Sequence, residues 1–216
     1  MQRANAAFRD FAIDQCCARL EQTGLRRHAK GSGSLFAPIN DAFQYWVGLN
    51  SGLYLTRVSL TPHFGVHVPQ LDELVAEIRK SSEPKRKYDK RIATYTRAHT
   101  QLIKSPPQLD FAPAEDIEDS LERLVNLSTQ VGLPFARSIA SYEALLPLLR
   151  ERVSMLGGYP ERVACCLALM GQAEKALDFL REFAATDSHG KRFAVFIEAF
   201  ADRVSSRNLA DPVSAI

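Results

Sequence analysis

Between Ala42 and Asn50 the apolar residues Phe43, Tyr45, Val47 and Leu49 fall on every second position, with Gln44 and Gly48 between them. Alternation of this kind puts the large side chains on one side of a pleated strand, so it commits part of the chain to a half-buried sheet. A second run, Leu53 to Leu60, follows Asn50, Ser51 and Gly52, where glycine suits a tight reversal. With Ser51 and Gly52 as a two-residue turn, Leu49 faces Tyr54, Val47 faces Thr56, Tyr45 faces Val58 and Phe43 faces Leu60. One more turn residue would set Tyr45 against Arg57 and Phe43 against Ser59, placing polar groups on the apolar face, so the first pairing is preferred. Trp46 then lies on the opposite face with Leu53 and Leu55, which predicts some cover on that side as well.

The flanking segments read as follows. A helix is expected from Asn5 to Thr23, with Phe8, Ala12, Cys16 and Leu20 on one stripe and Gly24 as its stop. The Gly31-Ser32-Gly33-Ser34 run lacks the lysine of a phosphate-binding loop and reads as a connector. Leu35 to Ile39 is expected to form a first strand that Pro38 pushes to an edge or a bulge. His63 and His67, four residues apart, have no acid or cysteine close in sequence to complete a metal site, and read as solvent-facing histidines at a strand end. Pro69 to Lys80 is a helix with Leu71, Leu74, Val75 and Ile78 inward and Asp72, Glu73, Glu77 and Arg79 outward. Then come Lys85, Arg86, Lys87, Lys90 and Arg91, either a solvated linker or a basic patch with Tyr88 and Tyr95 as stacking groups. The threonine-rich stretch Ile92 to Ile103 is expected to be a strand, ended by Pro106 and Pro107, with Leu109 to Phe111 a short edge piece.

From Glu115 onward the period becomes helical. Glu115 to Thr129 opens on four acids that favour a helix start, a structural role rather than an acid/base site. Gly132-Leu133-Pro134-Phe135 is expected to break the pattern, Ser141 to cap the next helix, with Pro147 a kink or a later start, and Gly157-Gly158 to close it. Pro160 opens a helix over Val163 to Met170, Gly171 separates it from Ala173 to Ala184, and Asp187 caps a last helix striped with Phe193, Phe196, Ile197, Phe200 and Val204. The small residues Ala164, Ala168, Gly171 and Ala176 make the middle pair similar to one tetratricopeptide unit. A single copy predicts an ordinary helical hairpin packed on its neighbours. The fold class is therefore α+β: an N-terminal helix and an antiparallel sheet with helices packed on one face, then an all-α bundle. Residues 1–112 form the sheet region and 113–216 the helical region packed on it as one unit.

With 216 residues, 46% hydrophobic and 24% charged, the chain can build a real core, and a net charge of +2 gives no long-range attraction to nucleic acid or membrane. No stretch approaches the roughly 20 apolar residues of a membrane span, and no secretory leader is visible at Met1 to Asn5, so a cytoplasmic protein is expected. Cys16-Cys17 and Cys165-Cys166 are adjacent pairs on helices, where neighbours point about 100° apart. One of each pair is expected to face the core as a reduced thiol, with an interhelical disulfide or a shared metal as the alternatives.

No nucleophile elbow, zinc-protease helix, paired CxxC or Walker lysine occurs, so no catalytic residue, metal or cofactor is assigned. His99 beside Arg97 is the residue of greatest catalytic interest. The amphipathic first helix, the Gly-rich break, Phe43-Gln44-Tyr45-Trp46-Val47, Thr96 through Ile103 and Leu133-Pro134-Phe135 together resemble the bacterial domain-of-unknown-function family 4304, over about Phe8 to Leu149. That resemblance implies no catalytic residues. Some members of the family are thought to act as immunity proteins beside secreted toxins, so it implies a protein partner, a toxin among the candidates. The expectation is a non-enzymatic interaction protein of immunity or regulatory type, binding through Lys85, Arg86, Lys87, Lys90, Arg91, Trp46 and Arg57. The alternatives are an enzyme with a dispersed site, in which His63, His67, His99 or a cysteine meets carboxylates, and weak nucleic-acid binding through the 85–91 cluster.

Overall fold

In a computed structural model the described residues are 3–29, 32–82, 92–113, 115–153, 159–186 and 190–206. They form an α+β protein whose chain folds into two units, each discontinuous in sequence: residues 1–67 with 95–140, and 68–94 with 141–216. The expected division at residue 112 falls inside the first unit, and the helix over Pro69 to Ser82 belongs with the C-terminal helices.

The first unit is built on an antiparallel sheet. Strands β1 (Arg26–Arg27), β2 (Ser34–Pro38), β3 (Gln44–Leu53), β4 (Val58–His67) and β5 (Tyr95–Ala98) lie side by side in chain order, and β6 (Leu109–Phe111) pairs with the start of β4. The β3–β4 hairpin forms, but not with the expected turn. Both strands run ten residues, Leu49 faces Pro62, Val47 faces Phe64 and Tyr45 faces Val66, and the reversal is at Tyr54 to Arg57 instead of Ser51-Gly52. The longer pairing wins because it sets Phe64 and Val66, both buried, opposite the apolar side chains of β3. Leu49 moves from Tyr54 to Pro62, an even displacement, so Tyr45, Val47, Leu49, Val58 and Leu60 keep the face that the alternation assigned to them, while Leu53 joins β3 and changes face.

The inner face carries Leu35, Tyr45, Val47, Leu49, Val58, Leu60, Phe64, Val66, Leu109 and Phe111, all buried. Helices α1 (Ala6–Glu21), α4 (Glu118–Leu127) and α5 (Leu133–Ser138) cover the sheet. Asn5 caps α1 through its side chain, which accepts from the Phe8 N–H at 2.9 Å. The Asp116 carboxylate accepts the Glu118 N–H at 3.0 Å, the structural use of that acidic start.

The expected break at Gly132 to Phe135 is absent. Instead α4 continues through a π turn, Ser128–Gly132, into α5. The wide turn precedes Pro134, whose lack of an N–H would otherwise have cost a bond of the α ladder. It also serves the sheet: Tyr45 donates its hydroxyl proton to the Ser128 carbonyl at 2.9 Å, and its oxygen lies 2.9 Å from the Ser128 hydroxyl. A Cβ at Gly132 would strike the Tyr45 hydroxyl and come within 2.6 Å of the Phe64 ring, so this turn of helix must present a bare backbone to the sheet. Tyr45→Phe strips the buried bridge and leaves the Ser128 hydroxyl short of a partner. We expect a loss of about 1–2 kcal/mol in chemical denaturation, and an unchanged midpoint would show that the bridge contributes nothing.

Ile92 to Ile103 forms only four residues of strand. The chain then turns into a single helical turn, α3 (His99–Leu102), because the Gln101 side chain accepts the Ala98 N–H at 3.2 Å.

The second unit is helical: α2 (Pro69–Ser82), α6 (Tyr142–Glu151), α7 (Pro160–Leu169), α8 (Ala173–Thr186) and α9 (Gly190–Ser206). Ser141 caps α6 by accepting the Ala144 N–H at 3.2 Å, and Pro147 sits within that helix. Pro160 occupies the first turn of α7, and Gly171 at φ +74° turns the chain between α7 and α8. α7 and α8 pack as a helical hairpin with neighbours on both sides, α6 and α2 against α7 and α9 against α8. Phe179, Phe183, Phe193, Phe196 and Phe200 form a ladder across α8 and α9, with successive ring centroids 5.1–6.5 Å apart. Gly157, Gly158 and Asp187 lie outside the described residues.

Candidate partner-binding surface

Three large apolar side chains follow one another at the β3–β4 reversal. Leu53 is 44% exposed, Tyr54 54% and Leu55 63%. They are held in place by backbone and by stacking. The Tyr54 N–H donates to the Arg57 carbonyl at 2.9 Å, closing the turn, and the Ala4 N–H donates to the Leu55 carbonyl at 3.0 Å, tying the segment before α1 to the tip. The Tyr54 ring lies over Gly52, where a Cβ would come within 3.0 Å of it. The Arg57 guanidinium sits 5.4 Å above the same ring, and its Nε lies 3.3 Å from the Asp110 carboxylate on β6.

Trp46 and Arg57 are not brought together. Trp46 pairs with Phe36 on β2 and Gly65 on β4, in the outer row of the sheet. Its half-buried indole lies flat over Gly48, where any Cβ would collide with it. The expected company of Leu53 and Leu55 is also absent, because Leu53 lies at an odd position of β3 and so on the other face. Along a strand rising about 3.3 Å per residue, Trp46 and Leu53 stand some 23 Å apart. Lys85, Arg86, Lys87, Lys90 and Arg91 lie outside the described residues. Sequence reasoning passed over the tip because it placed the turn at Ser51-Gly52 and thereby assigned Leu53, Tyr54 and Leu55 to a strand. Three bulky residues in a row after the alternation of Phe43 to Leu49 were the available signal.

The histidines are not solvent-facing. His67 is buried, and His63 is half-buried with Nδ1 3.0 Å from the Thr61 carbonyl. His63 pairs across the ladder with Ala98, which brings it beside buried His99. His99 Nε2 lies 3.4 Å from the Pro107 carbonyl, and burial holds its pKa below the usual imidazole range, opposed by the Pro107 and Pro62 carbonyls. Among the described residues no group of three or more His, Cys, Asp and Glu is arranged to hold a metal.

All four cysteines are buried free thiols, rather than one of each pair. Cys17 reaches the Ser32 carbonyl at 3.7 Å and Cys166 the Tyr142 carbonyl at 3.7 Å, which gives the second member of each pair a polar contact inside. Burial pushes every thiol up, Cys17 to about 11, Cys166 to about 12, Cys16 further, and Cys165 well above the ordinary thiol range. The neutral form is the one the fold holds, so their contribution is fully present below the unfolded thiol range of about pH 8.5 and is lost as pH rises toward the folded values. Stability should therefore fall between pH 8.5 and 10.5, and all four thiols should resist a thiol reagent at pH 8 until denaturant is added. Rapid labelling of the native protein would contradict this burial.

The second unit holds a buried ionic cluster. Arg162 donates from Nε to Asp72 Oδ1 at 2.9 Å and from Nη1 to the Thr94 carbonyl at 3.0 Å. The Thr94 hydroxyl donates to the other Asp72 oxygen and accepts the Val68 N–H at 2.8 Å. Beside it Arg79 pairs with Glu161 Oε1, and both guanidinium groups stack on the Tyr159 ring, Arg79 at 5.6 Å and Arg162 at 4.9 Å. Two cations and two anions balance, so the cluster locks α2 to α7 without a net field.

Comparison with known protein families, with curated proteins and with solved structures finds no match to this chain. Among the described residues no helix is long and apolar enough to cross a membrane.

Proposed function

We propose that this protein acts by binding another protein, without chemistry of its own, and that the β3–β4 tip is the contact. The observation that carries the reading is the run Leu53-Tyr54-Leu55, each side chain between 44% and 63% exposed on a turn fixed by two backbone hydrogen bonds. Exposing three consecutive large apolar groups is unfavourable for an isolated molecule, and a rigid tip loses little freedom on docking. The burial that keeps the thiols protonated, and so poor nucleophiles, fits a role without catalysis. An immunity or regulatory partnership, with a toxin as the partner, rests on the sequence resemblance to family 4304.

The test places a photo-crosslinking amino acid at Leu55 in the native cell, with the exposed Val195 on α9 as control position. One discrete protein adduct from Leu55 and none from Val195 is the expected result. The recombinant form of that protein should bind the full chain in calorimetry, and Leu53→Ser with Leu55→Ser should abolish binding while leaving the thermal transition in place. Absence of any protein adduct from positions 53 to 55 would overturn the reading.

A further inference from the structure

The geometry points to the kind of partner the tip fits: an apolar pocket on a second protein with a single Asp or Glu carboxylate at its rim, received by Arg57. The inference rests on the binding role proposed above and adds the chemistry of the surface bound. Arg57 is half-exposed, with 52% of its side chain in solvent. It is nevertheless held from two directions. The Tyr54 ring lies beneath the guanidinium plane, and the Asp110 carboxylate sits at its Nε edge. Those contacts use the face and one edge. The two terminal amino groups have no partner among the described residues, and together they make the fork that matches the two oxygens of a carboxylate. A side chain already oriented loses less entropy on pairing than a free one, so this fork is prepared for a bidentate bond. Leu53, Tyr54 and Leu55 project from the same turn, so the carboxylate must stand at the edge of whatever apolar surface receives them. Arg3, one residue before the Ala4 bond to Leu55, is exposed and adds a second positive charge to this side of the tip.

A lipid surface fits less well. Anionic headgroups respond to diffuse positive charge, and Asp110 cancels that of Arg57 at close range, whereas one carboxylate at a fixed place uses the direction of the fork.

The test uses the full chain and the recombinant protein that crosslinks to Leu55. Arg57→Lys, which keeps the charge and loses the fork, should weaken binding about tenfold, and Arg57→Glu should abolish it. The crosslinked surface should contain an Asp or Glu whose change to Arg restores binding to the Arg57→Glu variant. Equal affinity for Arg57→Lys and Arg57→Gln relative to the parent chain would overturn the carboxylate assignment while leaving the binding role standing. If Leu55 yields no protein adduct, and the chain instead binds phosphatidylserine–phosphatidylcholine vesicles in a manner lost on Leu55→Asp, both readings fall.

Discussion

Gly65→Ala should be the most damaging single-methyl change in the sheet. A Cβ at this position would run into the Tyr95 carbonyl oxygen and come within 2.8 Å of the Thr96 Cα, both part of the β5 backbone. A backbone cannot rotate aside as a side chain can, so β5 must leave β4 for the methyl group to fit. Overpacking usually costs about 1–3 kcal/mol, and we expect the upper end or beyond, a fall of about 10 °C in the thermal midpoint. Gly48→Ala is the informative comparison. There the obstacle is the far end of the half-buried Trp46 indole, a side chain and not backbone, and the loss should be a fraction as large. Hydrogen exchange separates the two: Gly65→Ala should expose the amides of Tyr95 to Ala98, and Gly48→Ala should not. Equal midpoints for the two variants would mean that the close approach of β4 and β5 is not rigid.

Arg162→Met should destabilise the helical unit by a similar or larger amount. It strands the Asp72 carboxylate in the interior and removes the donor to the Thr94 carbonyl, and breaking a buried pair on one side typically costs about 3–5 kcal/mol. Removing both charges is a different experiment. Asp72→Leu with Arg162→Met replaces the pair by apolar groups of related volume and should recover much of the loss, because the desolvation of both ions is no longer needed. A double variant as unstable as the single one would show that the Thr94 hydroxyl, which donates to Asp72 and accepts the Val68 N–H, carries more of the cluster than the ion pair does.

The inner face of the sheet was legible because alternation depends only on parity. Tyr45, Val47 and Leu49 had to share a side whichever residues they faced, and they do. The register was not legible, because it sets Phe64 against Gly132 of a π turn contributed by residues more than sixty positions away. That turn was itself hidden: Gly132 and Pro134 are ordinary break signals, and the Tyr45 hydroxyl that bonds the widened turn arrives from β3, far away in sequence. The buried charges were missed for a related reason. Asp72 and Arg79 read as the outer face of a short helix, and the partners that draw them inside, Arg162 and Glu161, come about eighty to ninety residues later. Of the expected binding residues Arg57 reached a tip whose neighbours were not foreseen, and Trp46 went to a separate part of the sheet.

The peptide bonds after His67, Thr94 and Ala140 each carry the chain from one unit to the other. No expression fragment cut at a single point therefore yields one unit by itself: stopping at Ala140 keeps the first unit whole but carries α2 without the α7 helix that neutralises its buried charges, and starting at Ser141 leaves α7 without α2. To obtain either half as a separate folded object, an engineer must excise an interior piece and splice the ends, joining His67 to Tyr95 in one case and Thr94 to Ser141 in the other.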